Sequence, residues 1–138
     1  MDEKAEMRSR EDPFGEMMPF TRTLGITCEH YEPDEVRARL AWAPELCTSG
    51  GVLHGGAIMT LADSAGGACA YLNLPDGAQG TTTVESKTNF LRAARSGHVE
   101  ATARPLHKGR TLIVVETVVT DDRGRLIAKT TQSQLVLS

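Results

Sequence analysis

The clearest alternation in the chain is "EVRARLAW", residues 35 to 42. Val36, Ala38, Leu40 and Trp42 fall on one side, Arg37 and Arg39 on the other. This two-residue period predicts a strand with one face buried. An earlier strand is predicted in "LGITCEHYEP", with Pro33 and Asp34 turning the chain between the two. After the turn signal "PDG" at 75 to 77, four more β-rich segments follow: "TTTVESKTNFLRA", "GHVEATARPL", "RTLIVVETVVT" and "RLIAKTTQSQLVL". Their links, "ARSG", "HKG" and "DDRG", are short and carry glycine, as antiparallel hairpins require. The run "TLIVVETVV" is apolar at both parities and predicts a central strand covered on both faces.

The period changes in "GGVLHGGAIMTLADSAGGACAYLNLP", residues 50 to 75. A helix is predicted from about Gly55 to Leu72, roughly 27 Å long. Its residues are apolar or small nearly all the way round, which predicts burial rather than an amphipathic surface helix. One hydrophobic helix needs a surface that encloses it, and a curved antiparallel sheet of about six strands supplies one. The class is α+β. Near the start, Asp12 and Pro13 suit the N-cap and first position of a short helix ending near Pro19. Residues 1–11, mostly charged, are expected to be a mobile tail, and 12–138 a single domain.

Composition narrows the function. In 138 residues the formal net charge is −3, which argues against a chain that holds nucleic acid by its phosphates. No apolar run is long enough to span a membrane, and the polar, acidic start lacks the apolar stretch of a signal peptide. A cytoplasmic protein is expected. Cys28, Cys47 and Cys69 lack metal-ligand spacing and read as reduced structural thiols, with no metal site foreseen.

The anomaly is Asp63, a carboxylate inside the apolar helix and too far from its N-terminus to cap it. It is either a surface-facing or hydroxyl-satisfied acid, with Ser64 or Thr60 as partner, or a desolvated catalytic base or nucleophile. Gly66 and Gly67 follow three and four residues on, where side chains would cover the carboxylate; each costs a helix about 1 kcal/mol. Space for a substrate would explain them. At the helix start, Gly55 and Gly56 would expose N–H groups at the positive end of the dipole, suited to an oxyanion. Gly55 and Asp63 lie eight residues apart, about 12 Å along a helix. One carbonyl cannot reach both in a single chain. If both act, they come from different subunits, and a two-fold dimer is the smallest solution.

"VLHGGAIMTLADSA", with "TTTVESKTNFLRAARSG" and "LHKGRT", resembles the hotdog-fold acyl-CoA thioesterases, in particular the PaaI-type branch near the hydroxybenzoyl-CoA thioesterases. The likeness covers about residues 20 to 137. It implies a central helix wrapped by an antiparallel sheet, and dimers or tetramers with active sites at the interface. By position it implies Asp63 as nucleophile or general base, Gly55 as the N–H that polarises the thioester carbonyl, and His54 as support for that loop. A purely structural His54 is the alternative. Thr48 stands where many members carry Asn or Gln, and Gly67 where some carry Ser or Thr. Thr83 aligns with a hydroxyl other members place on the following strand to orient water or the carboxylate; its alternative is an ordinary β-branched strand residue. The "HKGR" tip matches a turn that in the family lies near the coenzyme A phosphates, which makes Lys108 and Arg110 candidates to pair with them, although such a tip also serves solubility; Arg92 and Arg95 are second candidates.

The expected activity is hydrolysis of an aryl- or medium-chain acyl-CoA to acid and coenzyme A. No cofactor is expected, since coenzyme A belongs to the substrate. The alternative is a non-catalytic acyl-CoA sensor on the same fold. Hotdog dehydratases need an Asp and His order and spacing that "HGGAIMTLAD" lacks.

Overall fold

In the computed structural model, residues 12–138 are described; the tail expected over 1–11 lies outside them. Two short helices come first: α1 (Pro13–Met17) and α2 (Pro19–Leu24). The Asp12 side chain accepts the Gly15 N–H at 3.0 Å, so the predicted cap is present. Pro19 was expected only to stop a helix. It also starts α2, because a proline at the first helical position gives up an N–H that would have had no partner.

Strands β1 (Thr27–Glu32) and β2 (Glu35–Ala41) form the first hairpin. The long helix α3 (Gly55–Leu72) follows, with the bounds the sequence predicts. Then come β3 (Gly80–Phe90), β4 (His98–Lys108), β5 (Leu112–Asp121) and β6 (Leu126–Leu137). The sheet order is β1-β2-β4-β5-β6-β3, antiparallel throughout. α3 packs against all six strands. The predicted inward set of β2 is inward, with Val36, Ala38 and Leu40 fully buried and Trp42 half-buried.

Two expectations about burial are corrected. β5 is central, but only one face is fully covered: Ile113, Val115, Thr117 and Val119 are buried, while Val114, Glu116 and Val118 are half-exposed. Nor is α3 buried all round. Ile58, Leu61, Ala62, Ala65, Ala68, Cys69 and Leu72 face the core, but Gly56, Met59 and Asp63 are exposed and Thr60 and Gly67 half-exposed. Their spacing of three, four and seven residues is one helical stripe. It is built of Gly, Met and Thr as well as Asp, so polarity alone does not mark it.

This stripe runs beside a free edge. β3 closes one end of the sheet, bonded among the described strands only to β6, and most of its residues are exposed. Phe90 pairs with Ala128, Ser86 with Gln132 and Thr83 with Gln134. Directly paired residues share a face, so Phe90, Ser86 and Thr83 lie on the face of β6 that turns Ala128, Gln132 and Gln134 inward. A bulge between Thr83 and Glu85 keeps them there despite the odd spacing.

Candidate active site

His54 is the N-cap of α3. Its backbone is extended, and its Nδ1 accepts the Gly56 N–H at 2.7 Å. Both Gly55 and Gly56 were expected to offer free N–H groups. Gly56 does not, because its N–H donates to the imidazole; the Gly55 N–H has no acceptor among the described residues. The ring of Phe90 lies against Gly55, where a Cβ would come within 3.3 Å of it. Together they flank a groove of about 390 Å³ that Ile58, Leu91 and Arg92 also line.

Two turns on, Asp63 opens onto a different groove of about 290 Å³, with Phe20, Met59, Thr60 and Ser86. It is exposed in the single chain, so the expected desolvation is not supplied by its own subunit. Neither Ser64 nor Thr60 satisfies it. Their hydroxyls donate to backbone carbonyls, Ser64 to Thr60 O at 2.6 Å and Thr60 to Gly56 O at 2.8 Å. Instead Gln132 Nε2 donates to Asp63 Oδ1 at 3.2 Å. The two glycines beyond Asp63 differ. Space above Gly67 is open, as a substrate-clearing role requires, whereas a Cβ on Gly66 would overlap the Gln132 carboxamide. Gly66 is therefore a close-packing glycine between helix and sheet, which corrects its reading as substrate space.

Thr83 donates no bond to Asp63; its Oγ1 accepts from Gln134 Nε2 at 2.6 Å. The hydroxyls lining the Asp63 groove belong to Ser86 and to Thr60, the latter already donating to Gly56 O. Thr48 lies in the turn before α3, exposed, its N–H bonded to Val52 O, with no hydrogen bond to His54, Gly55 or Asp63.

The candidate cations separate into two groups. Arg92 and Arg95 line a cleft of about 390 Å³ with Arg123 and Arg125, which the sequence reading did not single out. Arg92, Ala93 and Ala94 are common to this cleft and the Gly55 groove, so the two are continuous. Lys108 and Arg110 stand at the other end of the sheet, where Thr111 O accepts the Val136 N–H. From Ala128 to Val136 is roughly 25 Å at about 3.3 Å per strand residue. In the arginine cleft, desolvation works against ionisation of Asp121. The N–H groups of Arg125 and Arg123 and the Arg125 guanidinium outweigh it and hold the carboxyl below its ordinary value.

Among the described residues, no three His, Cys, Asp or Glu side chains converge to hold a metal ion, and no helix is long and apolar enough to cross a membrane. Burial pushes the Cys28 thiol up to about 11 and the Cys69 thiol to about 12. Neither is a nucleophile near neutral pH.

Phe20, Phe90 and Ser86 reach the grooves from α2 and β3, and buried Gln132 reaches Asp63 from β6, through register and packing. A trace of them is visible in the sequence. "TTQSQ" in β6 is polar at both parities, so some of its polar side chains must face the core.

A six-stranded antiparallel sheet around one long helix, with a carboxylate in the helix and glycines at its start, is the architecture of the hotdog thioesterases. Residues 50–128 match the model of the thioesterase superfamily. The chain is 34% identical over 119 residues to a Mycobacterium tuberculosis protein provisionally described as an esterase, covering 85% of each. The solved structure of that protein superposes with a TM-score of 0.84 over 88% of this chain and 98% of its own, at 32% identity. A 1,4-dihydroxy-2-naphthoyl-CoA hydrolase of Escherichia coli is 32% identical over 123 residues, 89% of this chain and 88% of the relative. A thioesterase family protein of Silicibacter pomeroyi superposes with a TM-score of 0.85 at 28% identity, covering 97% and 98%. The chain belongs to the thioesterase superfamily and is a thioester hydrolase of the hotdog fold.

Proposed function

We propose that the chain hydrolyses an aryl- or medium-chain acyl-CoA to the carboxylic acid and free coenzyme A, with Asp63 as its catalytic carboxylate. The observation that carries the reading is two groups beside one strand edge: the exposed Asp63 carboxylate and the N–H of half-buried Gly55, which has no acceptor among the described residues. The N–H lies at the positive end of an 18-residue helix, where it stabilises the oxyanion formed as the carbonyl is attacked. Asp63 acts in one of two ways. It attacks the carbonyl carbon to give an anhydride that water opens, or it takes a proton from the attacking water. The thiolate of coenzyme A leaves in either route, and no further cofactor takes part.

The two groups serve one carbonyl only across two chains, so the working form is a homodimer, or a tetramer built from it. Support comes from β3, a long exposed edge of a kind that proteins rarely leave uncovered. The helix stripe bearing Asp63 lies alongside, and a second copy seated there would remove water from the carboxylate. Arg92 and Arg95 take the coenzyme A phosphates in the cleft continuous with the Gly55 groove, with Lys108 and Arg110 contributed from the second chain. The Phe20 ring beside Asp63 and the naphthoyl substrate of the Escherichia coli relative favour the aryl substrates. Three free thiols suit a cytoplasmic setting.

Release of free thiol from a panel of aryl- and alkyl-CoA thioesters tests the reading. Turnover is expected, fastest with an aryl member. Tight binding of the panel without turnover would instead make the chain an acyl-CoA sensor.

A further inference from the structure

Gln132 is fully buried on the inner face of β6. One end of its carboxamide, Nε2, donates to Asp63 Oδ1 at 3.2 Å. The other end, Oε1, is buried without a donor among the described residues. A buried acceptor left unmatched is destabilising, and an apolar side chain of similar volume would avoid the penalty. Packing therefore gives no reason for glutamine at this position. Gly66 carries a second penalty, since glycine inside a helix weakens it. Its Cβ would overlap the Gln132 carboxamide, so the glycine clears the path by which the amide reaches Asp63.

Both unfavourable features serve the same end. We infer that Gln132 is a positioning residue for Asp63, and that Gly66 is required to admit it. The amide fixes Oδ1 of a side chain that otherwise stands on an exposed helix stripe, free to change rotamer. Oδ2 receives no hydrogen bond from a described residue and is left for the substrate or its water. Holding a reacting group in one orientation is a kinetic contribution, because displacement by about 1 Å can slow a reaction by orders of magnitude. This inference rests on the assignment of Asp63 above.

The test is hydrolysis of benzoyl-CoA by the full chain and four variants: Gln132→Met, Gly66→Ala, Asp63→Asn, and Asp63→Asn combined with Gln132→Met. Gln132→Met keeps length and removes the donor. It is expected to lower kcat about tenfold or more, the scale of a misplaced reacting group, with KM and Tm little changed. Gly66→Ala, which displaces the amide while glutamine remains, is expected to lower kcat in the same way and stands in if Gln132→Met fails to fold. In the Asp63→Asn background, Gln132→Met should have no further effect on the residual rate, because a residue acting through Asp63 is silent without it. A folded Gln132→Met with unchanged kcat would overturn the inference, as would an equal proportional loss in both backgrounds. Wild-type turnover by Asp63→Asn would instead overturn the assignment of Asp63, and the inference with it.

Discussion

His54 Nδ1 accepts the Gly56 N–H at 2.7 Å, and the N–H of the residue between them, Gly55, is left without an acceptor. The imidazole thus caps the helix and limits the free donors at its mouth. Loss of an N-cap side chain costs about 1 kcal/mol, whereas asparagine accepts the same bond. His54→Ala is therefore expected to lose about that much stability in urea denaturation, and His54→Asn only a few tenths of a kcal/mol. Equal losses would show that the ring contributes by packing rather than by capping.

Gly55 stands at the first helical position, after an extended His54, which is the one place in a helix that accepts proline. Gly55→Pro removes the vacant N–H and keeps the helix, and the atoms nearest its Cβ are those of the Phe90 ring, at 3.3 Å. Activity is expected to fall on the order of a hundredfold, as on loss of an oxyanion donor. Co-expressed with Asp63→Asn chains, Gly55→Pro chains should recover activity, because each mixed dimer holds one site with both groups intact. Verified mixed dimers without activity would place both groups in one chain's site.

The free edge of β3 makes a separate prediction. Val84 sits at the bulge and is 59% exposed, so a charge there disturbs nothing in its own chain. Val84→Asp is expected to convert the assembly to monomers in light scattering and to lose activity in parallel, with the helical circular dichroism unchanged. A monomeric variant with full activity would separate the edge from the site.

Asp121 links stability to pH. Its carboxyl is held below the ordinary value by the Arg123 and Arg125 N–H groups and the Arg125 guanidinium, against desolvation. A lowered folded value means the carboxylate stabilises the fold fully above its unfolded value of about 4. That contribution is lost as pH falls through the folded value. Asp121→Asn is expected to lower Tm at pH 7, and the gap to the wild type should close toward pH 3. A gap independent of pH would mean that the turn is held by shape alone.

The sequence carried the fold further than the site. Alternation in "EVRARLAW", the glycine-bearing hairpin links and the composition of "GGAIMTLADSAGGACAYL" locate two strands, the hairpins and α3, because each signal is local. The groups around Asp63 were not legible in the same way. Ser86 and Gln132 meet there through the β3–β6 register, and Phe20 arrives on a second helix that Pro19 starts just after the first has ended. Gly66 and Gly67 look alike in sequence, yet one lies against a carboxamide and the other faces open space. A surface-facing Asp63 is one of the two readings the sequence leaves open, and it does not decide between them because the neighbours on the stripe, Gly56, Met59 and Gly67, are no more polar than the residues facing the core.

Asp63 carries the whole account, and Asp63→Asn tests it most directly because the amide keeps the shape and removes the base and nucleophile. Steady-state hydrolysis of an aryl-CoA thioester that the wild type turns over should show kcat lowered at least about a hundredfold, on the scale of losing a general base. Tm should be preserved and the substrate still bound. A folded Asp63→Asn enzyme with near-normal kcat would contradict the account.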